Sequence, residues 1–301
     1  MADLKKKLPG NVAGDFYVDS TCINCDTCRK FAPHTFQDEG NTSIVAVQPR
    51  SPEEVLQALQ ALIACPVHAI GSLSQKAGRE VLDSFPVPIT DEVFVNGFNA
   101  ESSYGSDSYF IRSAAGNGLI DSPRFTPVLV RKFREMGGLS WIFLTHRDDV
   151  ADADKYAKEF GARRMIHAYD QAAQKDAEIV LEGTDDKVIG DARIIFTPGH
   201  TRGHCVLLWK GRYLFTGDHL PWDDDEKALR PFRDACWYSW KEQIESVRKL
   251  AAYPGVEWVL PGHGRRMSFV PHTFGPAIQE AVRWMETYVR GVVSGSFSRK
   301  Q

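Results

Sequence analysis

Four apolar runs in the second half of the chain each lead into a histidine or an aspartate, and this pattern constrains the fold strongly. The runs are SWIFLTH, RIIFTPGH, RYLFTGDH and EWVLPGHG, and their polar residues are His146, His200, Asp218 and His263. Short continuous apolar runs bounded by turn residues are typical of buried strands. Loops at the rim of a rigid sheet often carry binding and catalytic residues. The pattern therefore predicts a sheet that carries these four side chains along one rim.

The segments around these runs alternate between strand and helix signals. FIRSA and GLIDS predict two short strands. Apolar residues at helical spacing predict amphipathic helices in the segments RFTPVLVRKFREMGG, DADKYAKEFGA, WKEQIESVRKLAAYPG and PAIQEAVRWMETYVRGVV. The second part of the chain therefore has a regular rhythm of strands and helices.

The N-terminal part contains a cluster of cysteines. Cys22, Cys25 and Cys28 form C-x-x-C-x-x-C, and Cys65 precedes a proline. This segment resembles a bacterial-type ferredoxin, in which such thiolates hold a [4Fe–4S] cluster. Ala32 stands where a two-cluster ferredoxin has a further cysteine, so one cluster with four cysteine ligands is predicted. The alternative is a structural zinc site with the same four sulfurs, although zinc sites usually use two C-x-x-C pairs.

Composition limits the classes of function. The chain has 301 residues and a formal net charge of -3, which argues against a general nucleic-acid binder. It has no long uncharged apolar run, so no membrane span is expected. We predict a domain of residues 1–80 and a second of residues 81–301. The expected location is the cytoplasm, or the plastid stroma if a transit peptide was removed.

The larger part resembles the metallo-β-lactamase superfamily over nearly all of residues 105–290. The resemblance rests on THRDDVAD, TPGHTRGH, FTGDH and LPGHG, in that order. It implies an α+β chain in which an αββα sandwich follows the ferredoxin-like domain, with metals at one edge of the sandwich. It also implies that His200 binds a metal, that Asp218 bridges two metals, and that His263 completes the second.

The first of these four pieces departs from the family pattern H-x-H-x-D-H. Asp148 stands in place of the second histidine, Asp152 takes the aspartate place, and Ala153 falls where the last histidine belongs. The ligands that the resemblance implies are His146, Asp148, Asp152, His200, Asp218 and His263, for one or two zinc or iron ions. Carboxylate in place of imidazole favours iron or manganese without excluding zinc. Alternatively, the site is inert and the acidic residues only cap the next helix.

The resemblance implies a metal-dependent hydrolase acting on a small-molecule substrate. Metal ions in such a site lower the pKa of water and polarise the bond under attack. The predicted catalytic residues are Asp218 and Asp152, which orient the water, and His204, which donates a proton or lines the pocket. Two alternatives stay open: an iron-dependent oxidoreductase that receives electrons from the cluster, or a non-catalytic redox sensor. Both allow a redox partner at the ferredoxin-like domain.

Overall fold

The computed structural model describes residues 2–74 and 76–294, with side chains up to residue 287. These residues form two compact units. The first unit comprises residues up to 144, 148–165 and 177–179, and the second comprises residues 145–147, 166–176 and those from 180 onward. The first unit contains residues on both sides of position 80, so the boundary at residue 80 stays a prediction.

The N-terminal part of the first unit is built from short strands and helices. Strand β1 (Phe16–Val18) pairs antiparallel with β4 (Ile70–Ser72), and β2 (Phe36–Asp38) pairs antiparallel with β3 (Ser43–Val45). The helices are α1 (Thr27–Phe31), α2 (Pro52–Ala64) and α3 (Arg79–Asp83). Helix α2 begins with a capping box, in which the Ser51 and Glu54 side chains each accept a hydrogen bond from the other residue's backbone N–H. The same helix ends beside Cys65.

A seven-stranded sheet runs in the order β11-β10-β9-β8-β7-β6-β5. Its strands are β5 (Val87–Pro88), β6 (Val93–Val95), β7 (Tyr109–Ile111), β8 (Gly118–Ile120), β9 (Trp141–Phe143), β10 (Arg163–His167) and β11 (Ile179–Leu181). Strands β5 to β8 form an antiparallel meander, whereas β8, β9 and β10 are parallel neighbours. Parallel neighbours need a crossover connection. Helices α4 (Pro127–Glu135) and α5 (Ala153–Phe160) provide these crossovers.

A six-stranded sheet belongs to the second unit and runs in the order β12-β13-β14-β15-β18-β19. Its strands are β12 (Lys187–Ile189), β13 (Ala192–Phe196), β14 (Cys205–Trp209), β15 (Tyr213–Gly217), β18 (Trp258–Pro261) and β19 (Met267–Ser268). Strands β16 (Trp222–Asp223) and β17 (Ala228–Leu229) form a separate hairpin. Only β15 and β18 pair in parallel within this sheet, and α6 (Trp240–Lys249) lies between them in sequence. Helix α7 (Phe274–Ser294) ends the described chain.

Each unit has an apolar core of its own. In the first unit, the Phe133 ring stacks on Phe110 with centroids 5.1 Å apart and packs on Tyr156 at 5.6 Å. In the second unit, buried side chains of β14 and β15 share one cluster with those of α6 and α7, including Phe274 and Ile278. Burying one such side chain contributes about 1.5–3 kcal/mol. The sheets are therefore rigid supports for the loops at their ends.

The described residues include no helix that is both long and apolar enough to cross a membrane. The four helices predicted from apolar spacing are present as α4, α5, α6 and α7, and the two strands predicted from FIRSA and GLIDS are β7 and β8. Helix α4 is shorter than its segment because Thr126 caps its first turn, where the Thr126 side chain accepts a hydrogen bond from Leu129 N.

Candidate metal centres

His146 is held on the loop that follows β9. Its ring is fully buried. Thr145 Oγ1 lies 2.9 Å from His146 Nδ1, and the Thr145 carbonyl accepts a hydrogen bond of 2.8 Å from Cys205 N. These contacts fix the ring so that Nε2 lies 3.8 Å from Asp218 Oδ2. The backbone and the neighbouring hydroxyl therefore aim one imidazole nitrogen at the carboxylate.

His200 lies at the end of the turn that follows β13. A Cβ atom on Gly199, which has a φ of +153°, would lie 2.5 Å from the Gln243 Cα, so this turn requires glycine. His200 Nε2 lies 3.7 Å from Asp218 Oδ2. Its ring meets that of His146 edge to face, with centroids 4.7 Å apart. Two imidazoles therefore converge on the same carboxylate oxygen.

Asp170 is a buried carboxylate that the sequence analysis did not single out. Its Oδ2 accepts hydrogen bonds from Thr201 Oγ1 at 2.5 Å and Arg147 N at 3.2 Å, and its Oδ1 accepts one from Gly203 N at 3.2 Å. It thereby ties together the two loops that carry the first two histidines. Asp170 lies three residues beyond the end of β10, whose sequence RRMIH is not a continuous apolar run, so the strand-end pattern did not mark it.

Asp218 and His263 follow the parallel neighbours β15 and β18. His263 Nδ1 lies 2.7 Å from Asp218 Oδ1, while Oδ2 faces His146 and His200. Burial acts to raise the pKa of the Asp218 carboxyl, but His263, and then His146 and His200, outweigh it and hold that pKa well below its usual range. The second unit thus places an anionic carboxylate among three imidazoles.

His204 and His219 form a layer next to these residues. Both are fully buried, and their rings stack with centroids 5.1 Å apart. Thr197 Oγ1 lies 3.1 Å from His204 Nδ1, whereas His204 Nε2 has no hydrogen-bond partner among the described residues. Burial, followed by the neighbouring histidines, lowers the pKa of His204 well below its usual value. His204 is therefore a neutral imidazole at neutral pH.

The acidic residues that follow His146 in sequence belong to the first unit. Asp148 is exposed, whereas Asp149 is buried. Asp149 Oδ2 accepts a hydrogen bond of 2.6 Å from Ser106 Oγ. This bond fixes the position of Asp149 within its own unit. The role of Asp148 as a metal ligand stays a prediction.

Asp152 has hydrogen-bonding partners of its own at the start of α5. Its Oδ2 accepts a hydrogen bond of 2.7 Å from Phe125 N, and its Oδ1 lies 2.7 Å from Lys155 Nζ. Ala153, the next residue, is buried in the first turn of the helix. Asp152 therefore holds Phe125 and Lys155, but its side chain makes no capping hydrogen bond at the start of α5. Its ligand and catalytic roles stay predictions.

The four clustered cysteines line one cavity of the first unit. All four are free thiols. Burial raises the pKa of the Cys28 thiol above its usual range and that of Cys65 to about 11. Four thiols in one cavity, of which Cys28 and Cys65 are buried, suit a metal cluster, because bound iron replaces their protons and compensates the thiolate charge.

Backbone N–H groups point at two of these sulfurs. Asn24 N and Ser43 N each lie 3.4 Å from Cys22 Sγ, and Ala69 N lies 3.3 Å from Cys65 Sγ. Hydrogen bonds to cluster sulfurs stabilise negative charge and tune the reduction potential. The cavity therefore offers both the ligands and the dipoles that an iron–sulfur cluster requires.

Two family models match the chain in separate segments. The model described as "Metallo-beta-lactamase superfamily" matches residues 91–270, which include all four strand-end residues. The chain belongs to the metallo-beta-lactamase superfamily. The model described as "4Fe-4S single cluster domain of Ferredoxin I" matches residues 18–72, which include Cys22, Cys25, Cys28 and Cys65. Both resemblances inferred from the sequence are confirmed.

Several curated relatives of this superfamily member are bacterial proteins named hydroxyacylglutathione hydrolase. The protein from Cereibacter sphaeroides is 33% identical over 168 residues, which are 52% of this chain and 63% of the relative. The protein from Rhodopseudomonas palustris is 31% identical over 163 residues, which are 52% of this chain and 60% of the relative. The chain thus spans less than two thirds of the length of these relatives.

Solved structures of metallo-beta-lactamases share the fold. The DIM-1 metallo-beta-lactamase aligns with a TM-score of 0.53 and 18% identity, covering 67% of this chain and 96% of that enzyme. The metallo-beta-lactamase from Pontibacter korlensis aligns with a TM-score of 0.52 and 17% identity, covering 66% and 97%. At this identity the alignments establish the fold, and they confirm the predicted α+β class.

Proposed function

We propose that this protein is a metal-dependent hydrolase of esters or thioesters that also carries one [4Fe–4S] cluster. The observation that carries the proposal is the convergence of His146, His200 and His263 on Asp218 in the second unit. Imidazole nitrogen and carboxylate oxygen are the donors that zinc and non-haem iron take in proteins. The name of the curated relatives supports a thioester as the small-molecule substrate.

The proposed metal ligands of the larger domain are His146, His200, Asp218 and His263, for one or two zinc or iron ions. The bound metal supplies an activated water and a Lewis acid. Asp218 supports this chemistry with its two oxygens: Oδ1 is engaged by His263 Nδ1, while Oδ2 faces the two other imidazoles and would orient the attacking water. Asp148 and Asp152 remain further candidates.

His204 is proposed as a positioning residue rather than a proton donor. Its ring lies 5.2 Å from that of His146, centroid to centroid, and is fully buried. A neutral imidazole with its Nδ1 beside Thr197 Oγ1 cannot supply a proton readily at neutral pH. Its packing instead keeps the neighbouring ligand ring from rotating.

The substitution His200→Ala tests the ligand assignment. Protein purified without oxygen is expected to lose the metal of the larger domain and the hydrolysis of an acyl-glutathione thioester, because one converging imidazole is gone. Its iron and sulfide from the cluster, and its visible absorbance, are expected to stay at the wild-type level. Metal analysis, sulfide determination and absorbance spectroscopy check these outcomes.

The matched control is His272→Ala, since His272 is exposed in the same unit. It is expected to keep both metals and full activity. A His200→Ala protein with the complete wild-type metal content would show that the ligand assignment is wrong. Iron beyond the four atoms of the cluster, without hydrolysis, would favour the oxidoreductase alternative, and no metal in the larger domain would favour the sensor.

A cytoplasmic location and a redox partner at the ferredoxin-like domain complete the proposal. The bacterial origin of the named relatives supports the cytoplasm over the plastid stroma. The redox partner rests on the match of residues 18–72 to a single-cluster ferredoxin domain.

A further inference from the structure

The loop Asn99–Asp107, called the cluster-facing loop below, lies against the cysteine cavity although it is distant from the cysteines in sequence. Its Gly105 has a φ of +82°, and a Cβ atom there would lie 2.8 Å from Cys25 Sγ and 3.1 Å from Pro66 Cγ. Real Cβ atoms do not approach other heavy atoms to 2.8 Å, so only glycine allows this proximity. The backbone of the loop therefore lies directly against a proposed cluster ligand.

Hydrogen bonds hold the Gly105 carbonyl from two sides. Thr27 Oγ1, in the segment of the clustered cysteines, donates to it at 3.0 Å, and Asn99 Nδ2 donates to it at 2.8 Å. Asn99 Nδ2 also lies 3.0 Å from Asp107 Oδ1, and Asn99 is only 1% exposed. Since buried polar groups are costly unless they are hydrogen-bonded, this network fixes the loop in one conformation.

A buried ion pair adds a second attachment. Lys30 Nζ, on α1, lies 3.1 Å from Asp107 Oδ2, and the two side chains are 1% and 0% exposed. The Tyr104 hydroxyl also donates to the Ile23 carbonyl, between the first two cysteines. Removing one partner of a buried ion pair leaves an uncompensated charge and is strongly destabilising. The attachment is therefore built into the folded structure of the first unit.

We propose that the cluster-facing loop is part of the [4Fe–4S] site, so that the cluster is retained only when this loop closes the cavity beside Cys25. The loop lies outside residues 18–72, which match the ferredoxin model, and so adds a component which that model does not contain. Solvent exposure and hydrogen bonding around the sulfurs set the stability and the potential of such clusters. The inference rests on the proposed cluster.

The substitution Gly105→Ala tests this role, with Gly40→Ala as its matched control. Gly40 lies in the same unit with a φ of +81°, but a Cβ there meets nothing within 4 Å. Both positions have a φ near +80°, which alanine rarely adopts, and only the first change places a methyl group against Cys25 Sγ. We expect Gly105→Ala to lose most of its iron and sulfide per chain, while Gly40→Ala keeps the wild-type content.

A second pair of variants covers the case in which Gly105→Ala does not fold, as judged by circular dichroism. Asn99→Ala removes the amide that donates to the Gly105 carbonyl, whereas Asn96→Ala removes a buried amide that bonds to Ser108 Oγ instead. Asn99→Ala is expected to release its cluster to a chelator several-fold faster than wild type, and Asn96→Ala at the wild-type rate.

The results of these experiments distinguish a failure of the proposed loop role from a failure of the proposed cluster. A folded Gly105→Ala protein with the full iron and sulfide content, or equal release rates for wild type and Asn99→Ala, would overturn the role of the cluster-facing loop. Wild-type protein that binds no iron and sulfide would instead overturn the proposed cluster itself.

Discussion

Asp170 shows how a single buried side chain organises the candidate metal centre. It accepts hydrogen bonds from Thr201, Gly203 and the backbone of Arg147, and is itself 1% exposed. A Cβ atom on Gly203 would lie 2.7 Å from its carboxyl carbon, so the two residues are closely packed. Residues that hold metal-binding loops in place contribute to metal affinity without touching the metal.

The substitution Asp170→Ala is expected to weaken metal binding by roughly 10–100-fold, the usual effect of losing a supporting partner of metal ligands. It removes the common acceptor of the two loops that carry the proposed ligands His146 and His200, while both histidines stay in the chain. Competition with a chromogenic chelator measures the affinity. The control is Asp185→Ala, because Asp185 is an exposed carboxylate of the same unit. Equal affinities for the two variants would show that Asp170 does not support metal binding.

The sequence predicted which residues lie at strand ends, but not how their side chains pack. His146, His200, Asp218 and His263 follow β9, β13, β15 and β18, as the apolar runs indicated. The stacking of His204 on His219 depends on contacts between segments distant in sequence. Such contacts leave no periodic signal, so sequence spacing alone could not show that His204 is fully buried.

Helices and strands were predictable where a periodic apolar pattern extended over enough residues to identify them. The predicted helices α4 to α7 are present, and each lies within its segment or extends it by a few residues. Helix α6 ends at Lys249, before the Gly255 that closed the predicted segment, and a short 3₁₀ helix follows it. The three-residue strands β1 to β4 were not predicted, whereas β7 and β8, which are equally short, were predicted from the segments FIRSA and GLIDS.

Helix α2 offers a test at the level of one element. Its capping box joins Ser51 and Glu54 at one end, and Cys65 caps its other end. Ser51→Ala removes the hydroxyl that accepts from Glu54 N and is expected to lower the free energy of unfolding by about 1 kcal/mol. The iron and sulfide content is expected to stay unchanged, since Cys65 lies at the opposite end.

Chemical denaturation of wild type and Ser51→Ala measures this difference. Ser20→Ala is a suitable control, because Ser20 is an exposed serine of the same unit and lies outside the helices. A loss of cluster in Ser51→Ala at full helical content would contradict the view that the cap acts only on local helix stability.

For the whole molecule, the fold and the family were predictable, whereas the domain boundary at residue 80 stays a prediction. The ordered motifs indicated a metallo-beta-lactamase-superfamily chain, and the family match over residues 91–270 confirms it. The first compact unit, however, contains the cysteine segment together with strands β5 to β9. The buried Lys30–Asp107 pair and the network around Asn99 are physical reasons for this, and neither is visible as a sequence motif.

Anomalous X-ray diffraction at the iron and zinc absorption edges, on crystals grown without oxygen, tests the central claim most directly. The predicted result is an iron signal among Cys22, Cys25, Cys28 and Cys65, and a separate zinc or iron signal bounded by His146, His200, Asp218 and His263. Strong diffraction with no anomalous peak at those three histidines would contradict the proposed hydrolytic centre.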